Sequence, residues 1–176
     1  IHVESAAGVG TTFTFTIRTT ASRSSFLNYV HINTDGLHGK KILVVDDNKT
    51  NRDILHTQLV HWKFKPTVVS SADEALKFLN EEKDFELVIT DMQMPGTDGV
   101  ELAQDIRKEH PILPIILLSS IGNEQKKQFE HLFSQILTKP VKQKVLSKAI
   151  ISHLRKTNKP NLRAQPSSNK LSEEAS

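Results

Sequence analysis

From Lys40 onward, short apolar runs alternate with stretches whose apolar residues recur at three- and four-residue spacing. KILVV (41–45) is a run of strand length that stops at Asp46-Asp47. From Thr50 to about Trp62, Ile54, Leu55 and Leu59 share one face at helical spacing. KPTVVS (65–70) predicts a second strand, and residues 72–82 a helix carrying Ala75, Leu76 and Leu79. ELVIT (86–90) runs into Asp91, then 98–109 places Leu102, Ala103 and Ile106 on a helical face. PIILL (114–118) ends at Ser119-Ser120, a weaker helix is expected over 123–132, and QILT (135–138) ends at Lys139-Pro140. Residues 142–155 close the series with Val145, Leu146, Ala149, Ile150 and Leu154.

Five strand–helix repeats predict an α/β fold. The first, third and fourth strands of this series are apolar on both faces, as expected of central parallel strands. Right-handed crossovers then put helices on both sides of one parallel sheet. The expected architecture is a doubly wound five-stranded parallel sheet of flavodoxin-like (βα)5 type, strand order 2-1-3-4-5.

The first eighteen residues follow a different period. Ile1 and Val3, then Phe13, Phe15 and Ile17, alternate with polar residues, predicting two half-buried strands joined by a turn at Gly8 and Gly10. Two strands alone are marginal, so further partners are expected outside this segment. Residues 19–38 are rich in Ser and Thr and predict a linker in which Phe26, Leu27, Tyr29 and Val30 pack locally at most. Residues 156–176, with two prolines and several serines, predict a disordered tail or inter-domain linker.

Composition narrows the chemistry. The 176 residues contain no cysteine, which excludes disulfides, thiolate metal sites and cysteine nucleophiles. A net charge of +3, part of it in the tail, forms no basic stripe, so no nucleic-acid partner is expected. No apolar run is long enough to span a bilayer, and no membrane contact is expected. The eight histidines show no ligand pairing and are expected at the surface. Beginning at Ile1 with a strand-like pattern, the chain is expected to be a piece of a longer protein.

In an open parallel sheet, ligands bind beyond the carboxyl ends of the strands. Asp46 and Asp47, Asp91, Ser119 and Lys139 all stand there. Clustered carboxylates raise one another's pKa, and a hard divalent cation relieves that repulsion. Magnesium takes oxygen ligands and keeps several waters. With a lysine ammonium and a hydroxyl alongside, the set suits transfer of a phosphoryl group onto a carboxylate. Asp98-Gly99 is expected only to cap and open the third helix of the series.

KKILVVDDNKTNRDIL, DMQMPGTDGVELAQDIR and LTKP together resemble the receiver domain of two-component response regulators, over about residues 40–155. The resemblance implies that Asp91 is the phospho-acceptor. It further implies that Asp47, Asp91 and the main-chain carbonyl of Gln93 bind Mg²⁺ directly, with Asp46 acting through water. Ser119 would bond the phosphoryl group, Lys139 would pair with it, and Pro140 would follow a cis bond. VESAAGVGTTFTFTI is similar to the end of the ATP-binding domain of histidine kinases.

The two resemblances together imply a hybrid sensor histidine kinase. Its parts here would be an ATP-binding-domain remnant (1–18), a linker (19–38), a receiver domain (39–155) and a tail (156–176). Phosphohistidine of its own kinase core or of a histidine-phosphotransfer domain would be the partner, a receiver dimer is plausible through family resemblance, and the location would be cytoplasmic. The fragment lacks the ATP site, so its own catalysis would be limited to Asp phosphorylation and dephosphorylation.

Four positions depart from the family pattern: Ile136 where an aromatic switch residue is usual, Lys63 where Gly often follows the first helix, Phe133 for a small residue, and Val141 for Phe. Lys63 suggests a different helix cap. Ile121 offers no polar group to orient water, so no special acceleration of acyl-phosphate hydrolysis is expected. The competing reading is a receiver-like interaction module that regulates its kinase by docking without being phosphorylated.

Overall fold

The computed structural model describes residues 1–20, 32–120 and 127–157. It contains two sheets: an antiparallel pair, β1 (His2–Ala6) and β2 (Gly10–Thr14), and a five-stranded parallel sheet. The larger sheet is built from β3 (Lys41–Val45), β4 (Lys65–Val69), β5 (Leu87–Asp91), β6 (Ile115–Ser119) and β7 (Gln135–Thr138), in the order β4-β3-β5-β6-β7. Counted from Lys41, this is the expected 2-1-3-4-5 order. Helices α1 (Lys49–His61), α2 (Ala72–Glu81) and α3 (Gly99–Glu109) connect successive strands, and α4 (Gln143–Thr157) follows β7; the four form the outer layers.

Alternate residues of the central strands supply two separate cores. Leu43, Val45, Val88, Ile115 and Leu117 join Ala75 and Leu79 of α2 and Leu102 and Ile106 of α3. Ile42, Val44, Leu87, Ile89, Ile116 and Leu118 join Leu55 and Leu59 of α1 and Leu146, Ala149, Ile150 and Leu154 of α4. The side-chain period of two on a strand thus divides each apolar run between two helical layers. Leu37, within the segment expected as a linker, is also buried in the α1/α4 core.

Helix boundaries follow side-chain capping. Asn48 caps α1, accepting from the backbone N–H groups of Thr50 and Asn51. Asp98 caps α3 in a reciprocal capping box with Glu101, as the Asp98-Gly99 pair suggested.

The end of α1 corrects one expectation. Lys63 adopts φ of 64°, its N–H bonds the carbonyl of Val60 at 2.9 Å, and Phe64 N–H bonds that of Leu59 at 3.0 Å. That is a Schellman cap, the same cap a glycine makes, and not a different one. The hydrogen bonds and the burial of Phe64 in the α1/α4 core hold a lysine in backbone space that favours glycine.

Two other expectations change. Of the helix expected over 123–132, residues 123–126 lie outside the described part. Residues 127–132 form a turn and a single 3-10 turn, Glu130–Leu132. Leu132 and Phe133 are buried there and Phe129 packs against them, its ring edge-on to Phe133 at 6.1 Å. This inward anchoring suits a tight turn better than a continuous helix. In the N-terminal pair, Gly8 and Gly10 take positive φ, Gly8 within the expected turn and Gly10 opening β2 directly after it. The strands, however, are exposed at every residue. The register sets His2 against Thr14, so β2 ends before Phe15 and Ile17. Phe26, Leu27, Tyr29, Val30, Ile121 and the 158–176 segment lie outside the described residues.

Candidate metal and phosphoryl site

The register of the large sheet brings its carboxyl ends to one edge. Val45 pairs with Thr90, Asp91 with Leu118, and Ser119 with Thr138. Asp46 and Asp47 therefore leave β3 beside Asp91 at the end of β5. Lys139 leaves β7 beside Ser119 at the end of β6, and its N–H bonds the Ser119 carbonyl at 2.9 Å. The Lys139–Pro140 bond is cis, as the resemblance implied.

The side chains converge. Lys139 Nζ lies 2.7 Å from Asp91 Oδ1 and 3.9 Å from Asp46 Oδ2. One carboxylate oxygen from each of Asp46, Asp47 and Asp91 lies within 4.8 Å of the others. Asp91 Oδ1 also accepts from Met92 N–H at 2.7 Å. Asp46 is buried, its Oδ1 accepting from Asn48 N–H at 2.9 Å and both its oxygens from Asn51 Nδ2 at 3.2 and 3.1 Å. Burial holds the Asp46 carboxyl above its ordinary pKa and the charge of Asp91 adds to this, while the Asn48, Asn51 and Lys139 contacts work the other way.

Asp47 is exposed, and among the described residues its carboxylate has no hydrogen-bond partner; nor has Asp91 Oδ2. Ser119 is fully buried at the rim. Gln93 lies two residues beyond Asp91, exposed in the outgoing loop between the buried Met92 and Met94. A cleft of about 570 Å³ opens beside the cluster, lined by Asp46, Asn51, Leu118, Lys139 and Pro140 among others.

A family model for the response regulator receiver domain matches residues 42–151. The chain belongs to the response regulator receiver domain family.

Its curated relatives include the two-component response regulator ARR14 of Arabidopsis thaliana, 41% identical over 48% of this chain. The probable transcriptional regulator ycf27 of Cyanophora paradoxa is 36% identical over 72%. The match spans 22% of the length of the first relative and 53% of the second. A receiver domain protein from Clostridium thermocellum superimposes with TM-score 0.64 at 29% identity, covering 67% of this chain and 96% of that one. The response regulator TrrA of Thermotoga maritima, solved in complex with Mg²⁺ and BeF, gives TM-score 0.61 at 29% identity, over 65% of this chain and 98% of that one.

Receiver domains accept a phosphoryl group on an aspartate in two-component signalling, from histidine kinases or phosphotransfer proteins, and Mg²⁺ is their cofactor. The donor set here fits that ion. The cluster is all oxygen, two of its carboxylates have oxygens to spare, and Asp46 is a buried carboxylate strained by a like charge.

Three further residues shape the receiver site: Asn51 and Arg52, to which the sequence pattern gave no role, and Gly99, expected only to open the third helix. Asn51 holds the Asp46 carboxylate. Arg52 donates to the main-chain carbonyls of Asp46 and Asp47. At Gly99, a Cβ would stand 2.2 Å from the Asp91 carbonyl oxygen, so α3 starts against the acceptor's own backbone only because this residue has no side chain. Asn51 and Arg52 sit three and four residues past the Asn48 cap, facing back to the loop they follow. Of the departures from the family pattern, Ile136 packs partly buried on the α2/α3 core and Val141 on the α1/α4 core, while Phe133 is buried beside Phe129.

Proposed function

We propose that this chain is the receiver of a hybrid sensor histidine kinase and takes a phosphoryl group from phosphohistidine onto Asp91 in a Mg²⁺-dependent phosphorelay. The observation that carries the reading is the 2.7 Å contact of Lys139 with Asp91 inside the three-carboxylate cluster. A carboxylate oxygen of Asp91 forms the new P–O bond as the P–N bond to the donor imidazole breaks. The electron pair of that bond stays on the imidazole nitrogen.

Each residue has a part. Lys139, held at Asp91, accompanies the negative charge that builds on the phosphoryl oxygens. Ser119 donates to one of those oxygens. Asp47, Asp91 and the Gln93 carbonyl would hold the metal directly, and Asp46, its oxygens already engaged by Asn48 and Asn51, would act through water. Bound Mg²⁺ supplies charge neutralisation between the carboxylates and the incoming phosphoryl group.

The same reading assigns residues 1–18 to the end of a kinase ATP-binding domain, 19–38 to a linker, 39–155 to the receiver and 156–176 to a disordered tail or inter-domain linker. Support comes from the hairpin, where Val3 pairs with Phe13 and both are exposed, as at the uncovered end of a larger sheet. The donor would be the histidine of its own kinase core or of a phosphotransfer domain, the location cytoplasmic, and a receiver dimer is compatible with it. Among the described residues no helix is long and apolar enough to cross a membrane.

The test is intact-mass measurement of the chain after incubation with Mg²⁺ and acetyl phosphate. Gain of one phosphoryl group, lost in Asp91→Asn and in the absence of Mg²⁺, is the expected result. No gain would replace this reading with that of an unphosphorylated docking module.

A further inference from the structure

Arg52 stands at an odd place for a cation. It is the fourth residue of α1, whose first turn contains no acidic residue. The amino end of a helix carries partial positive charge and disfavours arginine and lysine. Local helix energetics therefore do not account for it. The geometry does: its Nη1 donates to the carbonyl of Asp46 at 2.6 Å and to that of Asp47 at 2.8 Å.

These two carbonyls belong to the loop that carries two of the three clustered carboxylates. The same loop is tied from below by the Asp46 N–H, which bonds the Val69 carbonyl at 3.3 Å. It is tied at the side by Asn51, which reaches the Asp46 carboxylate. Asp47, by contrast, is exposed, and nothing among the described residues holds its carboxylate. Its position is set by its main chain, and Arg52 is the side chain that grips that main chain.

We propose that Arg52 is a positioning residue for the metal site: by clamping both carbonyls it presents the carboxylates of Asp46 and Asp47 to Asp91. It touches neither the metal nor the phosphoryl group. The proposal rests on the reading that this cluster holds Mg²⁺. Removing a group that orients metal ligands typically weakens metal affinity about 10–100-fold. Lysine carries the charge but has a single compact ammonium, which cannot reproduce the planar guanidinium at two acceptors.

The experiment is calorimetric titration of the full 176-residue chain with Mg²⁺ for wild type, Arg52→Ala and Arg52→Lys, with thermal unfolding of each. Leu79→Ala, a core change on the far helical layer, serves as a destabilised control. The expected result is about a tenfold or greater loss of Mg²⁺ affinity in Arg52→Ala, with Arg52→Lys in between and Leu79→Ala close to wild type. At saturating Mg²⁺, the rate of labelling by acetyl phosphate should return to within about threefold of wild type in Arg52→Ala, as it should when a positioned ligand set is refilled by mass action. Unchanged affinity in Arg52→Ala overturns the proposal. So does an equal loss in Leu79→Ala, because that would make the effect one of general stability. Failure of the wild type itself to bind Mg²⁺ would instead overturn the site reading beneath it.

Discussion

The N-terminal hairpin and the five-stranded sheet both begin as runs of β-forming residues, yet they end in opposite states. Val3 and Phe13 face each other across β1 and β2, and Phe13 is 67% exposed. Ile42, Leu43, Val44 and Val45 of β3 are fully buried. The residues account for part of the difference, since the hairpin strands are mostly polar and β3 carries four consecutive apolar residues; the neighbours account for the rest. β3 has a strand on each side and a helix on each face, whereas the hairpin has one partner per strand and no covering layer among the described residues. Apolar alternation states which face a strand would bury; only the supply of neighbours decides whether it is buried at all.

The sharpest way to break this contrast is core truncation. Leu102→Ala, at a fully buried α3 position, should cost about 2–5 kcal/mol in denaturant unfolding. A loss within the range of surface changes would mean that the two-layer packing is not what stabilises the sheet. Next in size is Gly99→Ala, whose Cβ must displace the Asp91 backbone. About 1–3 kcal/mol is expected in the same measurement. Mg²⁺ affinity should fall as well, since the acceptor aspartate moves. Lys63→Gly should go the other way, raising stability by about 1 kcal/mol by relieving the left-handed backbone of the α1 cap. The smallest effect belongs to the hairpin: Phe13→Ala should shift unfolding by no more than about 0.5 kcal/mol, as exposed substitutions do. A larger loss would show that something covers that face.

The sheet, its order and the helical faces were legible because each depends on a short period repeated many times. The convergence of Asp46, Asp47, Asp91 and Lys139 was legible for a topological reason: carboxyl ends of parallel strands share an edge, and these residues stand at those ends. What stayed hidden depends on single main-chain contacts. Nothing in a pattern of apolar and polar residues says that Arg52 turns back onto two carbonyls, or that Gly99 lies against the backbone of Asp91. Lys63 shows the reverse error. A change of residue type suggested a change of cap, but the hydrogen bonds of Lys63 and Phe64 to α1 outweigh the cost of a side chain at positive φ. The weak helix expected over 123–132 was misjudged at its end because Phe129, Leu132 and Phe133 carry an apolar pattern that a tight turn satisfies equally well.

The central claim is that the cluster around Asp91 receives phosphorus with Mg²⁺ present. Its most direct measurement is the intact mass of the chain after acetyl phosphate with and without Mg²⁺, alongside Asp91→Asn and Lys139→Ala. The account predicts one added phosphoryl group only in the presence of Mg²⁺, none on Asp91→Asn, and slower addition on Lys139→Ala. Addition that persists in Asp91→Asn, or none in the wild type under saturating Mg²⁺, would contradict it.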